Sequence, residues 1–182
     1  MRNVKKLVLS ALFLALGMVL PFFTGQIKEI GNMLLPMHLP VLLCGLICGP
    51  AYGLAVGFIL PLLRSVCFGM PMLYPNALSM AFELATYGLV IGLLFSKAKW
   101  KCIRSLYVSL LCAMVSGRLV WGIVQCLLLG FGADGFTLQM FWAGAILNAL
   151  PGIALQLVLI PAIMLILRKT HLPNRRKGNG HE

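Results

Sequence analysis

The chain has 182 residues, 60% of them hydrophobic and only 10% charged, with a mean hydropathy of +0.97. That balance excludes a soluble domain, and apolar runs of roughly 20 residues, the length that crosses a bilayer, recur along the chain. The net charge of +11 would suit an anionic partner, but its bases fall in three short clusters beside apolar runs, which argues against nucleic acid and for the cytoplasmic face of a membrane.

The first cluster, Arg2, Lys5 and Lys6, precedes an apolar run at about 7–23. This run is long for the core of a signal peptide, and no small-residue cleavage site follows it, so it reads as a retained first helix. After the external piece TGQIKEIGN comes an apolar stretch at about 34–63, and after RSVCFGMPMLYPN another at about 78–95. The second cluster, Lys97, Lys99, Lys101 and Arg104, belongs on the same side as the first, which requires an even number of crossings. The long stretch must therefore break. Gly49-Pro50 supplies the break, since Gly ends helices and Pro starts them. Two short helices are predicted there, at about 34–48 and 50–63.

Helices at about 105–130 and 138–167 then bring the third cluster, Arg168, Lys169, Arg175, Arg176 and Lys177, back inside. The prediction is an all-α integral membrane protein of six helices with both termini cytoplasmic. Its domains are one membrane unit, 1–170, and a polar tail, 171–182. Gly45, Gly49, Gly53 and Gly57 recur every fourth residue, a smooth ridge that lets helix backbones approach closely.

Glu83 is the only acidic residue inside a long apolar stretch, and a carboxylate at bilayer depth costs several kcal/mol unless compensated. Helical periodicity puts Ser79, Glu83 and Tyr87 on one face of the fourth helix, and Arg118, Trp121 and Gln125 on one face of the fifth. Asn148 and Gln156 lie on the sixth helix with Trp142 at its start, and His38 lies near the outer end of the second, between Pro36 and Pro40. Together with Tyr74 and Asn76 of the loop GMPMLYPN, these residues suit a mostly apolar pocket in which a few polar groups orient a small organic molecule. Structural alternatives stand beside that reading. Glu83 and Arg118 form a helix-locking ion pair, His38 is satisfied by a backbone carbonyl, the proline-rich loop lies at the headgroup level, and Arg64 snorkels outward.

Cysteines 44, 48, 67, 102, 112 and 126 form no C-x-x-C pair and read as small packing residues. No signature of a hydrolase, nucleotide-binding loop or metal-assisted phosphotransferase is visible. Any ATP dependence must come from partners.

The stretches LLPMHLPVLLCGLICGPAYGLAVGFILPLL, GMPMLYPNALSMAFELATYGLVIGLL and GRLVWGI resemble the substrate-binding S components of energy-coupling factor (ECF) vitamin transporters. The resemblance covers nearly the whole chain. It is strongest toward the subgroup for pantothenate, pyridoxine and hydroxymethylpyrimidine. It implies a six-helix S-component bundle in a bacterial cell membrane that binds a vitamin from outside. The bundle would then topple after docking on a transmembrane scaffold subunit that carries two cytoplasmic ATPases. No cofactor is expected in this chain, ATP being hydrolysed by the partners. It further implies that Ala11 and Ala15, in LSALFLALG, dock on the scaffold and that the loops after helices 1 and 3 act as lids; in some members, such as those resembling the thiamin binders, an acid at the position of Glu83 contacts ligand. The competing function class is a self-sufficient permease or an intramembrane enzyme.

Overall fold

The computed structural model describes residues 2–23, 36–98, 103–130, 137, 139, 142 and 150–171. Among the described residues six α-helices follow in chain order: α1 (Arg2–Phe23), α2 (His38–Ile47), α3 (Pro50–Phe68), α4 (Leu78–Lys97), α5 (Ile103–Leu129) and α6 (Leu150–His171). No strand occurs among the described residues. All but α2 are long and apolar enough to cross a membrane. Lys5 and Lys6 at the start of α1, Lys97 at the end of α4 and Arg104 at the start of α5 mark that end of the bundle as cytoplasmic.

The joint at Gly49-Pro50 is as the sequence predicts. Gly49 takes φ 109°, a conformation costly for any residue with a side chain, and Pro50 opens α3. Gly49 is therefore not part of the packing ridge, and nothing lies within 4 Å of where its Cβ would be. The other three glycines do pack, against α4. A Cβ on Gly53 would sit 2.7 Å from the Gly88 carbonyl oxygen, and one on Gly57 2.7 Å from the Ala85 nitrogen. In lipid, helices gain little from hydrophobic exclusion, so such close backbone packing is what holds them. From α4 the same seam is completed by Gly88 and Gly92, which face the backbone of Gly53 and Pro50.

This makes α4 the central helix. It packs on α2, α3 and α5; α1 packs on α2 and α3, and α6 on α5 and α2. The core it centres on includes Leu42, Leu60, Leu84, Tyr87, Ile91, Leu110 and Ile160. On α1 the buried positions Ser10, Phe13, Gly17 and Pro21 form one stripe, while Val4, Leu7, Val8, Leu12, Val19 and both Ala11 and Ala15 are exposed.

α3 runs to Phe68, beyond the predicted end at residue 63, because Arg64 does not end it. Gly69 does, in the left-handed conformation (φ 69°), with its N–H bonded to the Ser65 carbonyl. Arg64 is also not the snorkelling residue expected. It is 4% exposed, its Nη1 donates to the Met18 carbonyl at 2.8 Å, and its guanidinium lies 5.3 Å from the Phe22 ring and 5.6 Å from the Phe68 ring. A backbone acceptor between two aromatic faces is a better site for this cation than the headgroup layer. Arg64 thus clamps the outer end of α1 to α3.

α1 begins at Arg2, ahead of the predicted 7, because the basic residues are good helix formers and continue the helix out of the hydrocarbon. The external piece 24–32, Cys102 and the tail 172–182 lie outside the described residues.

Candidate functional site

Glu83 is 1% exposed, on the face of α4 turned toward α2 and α5. Three side chains converge on its Oε1 atom. Arg118 Nη1 from α5 donates at 3.2 Å, the Tyr87 hydroxyl one turn along α4 donates at 3.1 Å, and His38 Nε2 from α2 lies at 3.5 Å. A carboxylate only accepts, so Nε2 carries the proton at that contact. The His38 and Tyr87 rings meet edge-on, with centroids 5.1 Å apart. The ion pair cancels two charges that would each be expensive in a bilayer, and the two further donors spread the carboxylate's charge.

Depth follows from helix geometry. At 1.5 Å per residue, Glu83 stands about 21 Å from the cytoplasmic end of α4 and Arg118 about 22 Å from that of α5. The group therefore sits in the outer half of a hydrocarbon core roughly 30 Å thick. Because α2 has only 10 residues, its N-terminal His38 reaches this depth instead of the outer surface.

Polar contacts continue outward along the α4–α5 seam. Gln125 Nε2 donates to Ser79 Oγ at 3.1 Å, and Ser79 Oγ donates to the Asn76 carbonyl at 2.9 Å. Asn76 belongs to a wide turn, Leu73–Ala77, closed by the Ala77 N–H on the Met72 carbonyl at 2.9 Å. Within that turn Tyr74 is extended, and its hydroxyl donates to the Leu128 carbonyl at the outer end of α5. The peptide bonds before Pro71 and Pro75 are cis. The loop between α3 and α4 is thus tied to α5 directly through Tyr74 and indirectly through Ser79 of α4, above a buried file of polar side chains.

Several atoms in this file make no hydrogen bond among the described residues although they are buried: Arg118 Nε and Nη2, and Gln125 Oε1. Gln156 Nε2 on α6 is in the same condition, in a residue only 2% exposed. An unmet buried donor or acceptor costs about 1–3 kcal/mol, and native proteins keep few of them. Three of the four atoms lie on α5, on its seam with α4.

Of the residues the sequence singled out, Glu83, Arg118, His38 and Gln125 are brought into this file. Asn76 joins it through its carbonyl, and Tyr74 fixes the loop above. Trp142 is 54% exposed and lies outside the buried set, and Asn148 falls outside the described residues. Tyr87 and Ser79 prove as central as Glu83, and their place on its helical face was visible in the sequence. The carbonyls of Met18 and Leu128 carry no sequence signal at all. Among the described residues no three metal-ligating side chains stand together, and Cys44, Cys48, Cys67, Cys112 and Cys126 are free thiols.

The family model for the substrate-specific component of ECF transporters matches residues 5–164. No curated protein and no solved structure matches the chain.

Proposed function

The chain belongs to the substrate-specific components of ECF transporters, a family of transporter subunits and not of enzymes, and on that premise we propose that it captures a water-soluble vitamin or vitamin precursor from outside a bacterial cell. The candidates are compounds of the pantothenate, pyridoxine or hydroxymethylpyrimidine type. Glu83, Arg118, His38 and Gln125 form the recognition groups, under a lid built from the loop with Tyr74 and Asn76. Trp142, which is 54% exposed, and Asn148 are proposed to contribute to the rim of the same site. A free permease or an intramembrane enzyme is not favoured.

What carries this reading is the set of unmet polar atoms on Arg118 and Gln125, buried beneath a loop tied to α5. A purely structural ion pair would have no use for the spare donors and acceptor.

Substrate-specific components in general work with a transmembrane scaffold and ATPase modules. For this chain the partners proposed are one scaffold subunit and two cytoplasmic ATPases, which hydrolyse the ATP. Docking uses the exposed face of α1, where Ala11 and Ala15, one turn apart, set two small side chains among exposed Val8, Leu12 and Val19. The membrane unit 1–170 serves as the binding domain, with 171–182 as its cytoplasmic tail.

Native mass spectrometry of the gently purified protein tests the reading. A bound molecule of vitamin size is expected, retained by the wild type and lost from Gln125→Leu. A ligand retained equally by both proteins would place the site elsewhere.

A further inference from the structure

We infer that the ligand is an extended carboxylic acid, its carboxylate seated on the Nε–Nη2 edge of Arg118 and a hydroxyl or amide N–H at its other end donating to Gln125 Oε1. This rests on the reading of the seam as the binding site and narrows it to one chemical class.

The guanidinium has two edges available for paired hydrogen bonding, and here they are used differently. Nη1 is spent on Glu83 Oε1 at 3.2 Å. Nε and Nη2 are buried without an acceptor among the described residues. Those two atoms present parallel N–H groups, the fork that matches the two oxygens of a carboxylate. A ring hydroxyl engages only one of them. Glu83 holds the opposite side of the guanidinium, and Tyr87 and His38 hold Glu83, so the fork is fixed before ligand arrives and little ordering is lost on binding.

The second fixed point sets polarity and length. Gln125 Nε2 is committed to Ser79 Oγ, which leaves Oε1, buried and unmet, as a pure acceptor. The matching ligand group is a donor. Arg118 and Gln125 are seven residues apart, on one face of α5, so their backbone positions differ by about 10.5 Å along the helix axis. Their side chains end on Glu83 and Ser79, one turn or about 6 Å apart on α4, so a molecule that meets both spans at least that distance, with its acid end deep and its donor end toward the loop held by Tyr74. A ring bearing only hydroxyls does not satisfy the fork.

Charge favours a carboxylate over a phosphate monoester. Arg118 and Glu83 together are neutral, and His38 Nε2 points its N–H at Glu83 and not at the fork. The described residues around the seam, on α2, α4 and α5, include no second guanidinium or ammonium to balance a dianion; the ionisable groups there are His38, Glu83, Tyr87 and Arg118.

Calorimetric titration of the purified wild-type protein distinguishes the possibilities, using pantothenate as the acid, pantothenol as the same chain ending in an alcohol, 4′-phosphopantothenate as a phosphate, and pyridoxine as a neutral ring. Pantothenate is expected to bind about ten- to a hundredfold more tightly than pantothenol, the ratio set by losing charge-assisted bonds. Arg118→Lys keeps a cation for Glu83 but removes the fork. It is expected to collapse the acid-to-alcohol ratio to within about threefold. The comparison of ligands on the wild type stands even if that variant folds poorly.

Equal binding of acid and alcohol overturns the inference, as does tighter binding of the phosphate. Pyridoxine binding that is lost in Gln125→Leu overturns the acid assignment while leaving the seam as the site. Binding of any of the four that is indifferent to both Arg118→Lys and Gln125→Leu overturns the site as well.

Discussion

Glu83→Gln is the most informative single substitution, because it keeps shape and an acceptor oxygen while deleting one charge. In the wild type Oε1 takes Arg118 at 3.2 Å, Tyr87 at 3.1 Å and His38 at 3.5 Å. The glutamine oxygen still accepts from these donors, but as a neutral group. Arg118, with a side chain 12% exposed, is left a largely buried and unpaired cation. Breaking a buried pair by removing one partner costs about 3–5 kcal/mol, and the neutral hydrogen bonds that persist return about 1 kcal/mol. The ligand-free protein should therefore lose about 2–4 kcal/mol, a fall of roughly 5–15 °C in melting temperature for a chain of this size. Scanning fluorimetry in detergent reads this directly. Glu83→Gln combined with Arg118→Met removes both charges and should recover most of the loss. If Glu83→Gln melts within about 1 °C of wild type, or if the double variant is worse than the single, the carboxylate is not compensating the guanidinium and the reasoning fails.

The glycine seam makes a second prediction: Gly88→Ala, whose Cβ meets the Gly53 backbone, should cost more than 2 kcal/mol, whereas Gly17→Ala, whose Cβ meets only the flexible Leu60 side chain, should cost less, as thermal melts of the two will show. Tyr74→Phe removes the hydroxyl that ties the loop to Leu128. With exposed Cys67 replaced, a cysteine introduced at Met72 should then label several-fold faster, and ligand should no longer protect it; unchanged labelling would separate this loop from ligand entry. Ala11→Trp or Ala15→Trp should abolish uptake in the assembled transporter while leaving ligand affinity of the isolated chain within about twofold, and an equal loss of both would make these alanines part of the binding fold.

Legibility from sequence follows the physics of each feature. Charge placement and the Gly49-Pro50 break were enough to count six helices, since both act locally along the chain. Glu83, Arg118, Tyr87 and Gln125 could be set on facing sides of α4 and α5 because helical periodicity fixes direction. The clamp made by Arg64 is not legible in sequence because its partner is a backbone carbonyl on α1, which no side-chain pattern marks. Gly49 shares the spacing of the packing glycines, and spacing does not distinguish a residue at positive φ from one inside a helix. The pairing of His38 with Glu83 depends on how α2 ends and on which face α4 turns to it, and only packing decides that.

The shortness of α2 bears on how the protein is made. Its 10 residues measure about 15 Å, half of the hydrocarbon thickness, so it has no stable position in lipid by itself. A chain emerging from the insertion machinery must deliver α2 and α3 together, as a hairpin turned at Gly49-Pro50. Even that pair is incomplete, because the upper end of α2 carries His38 into hydrocarbon before Glu83 has been synthesised. Assembly of this half of the molecule therefore waits on α4, and a chain stopped at residue 77 is expected to hold α1 and α3, each long enough to cross, in the membrane while α2 fails to settle there.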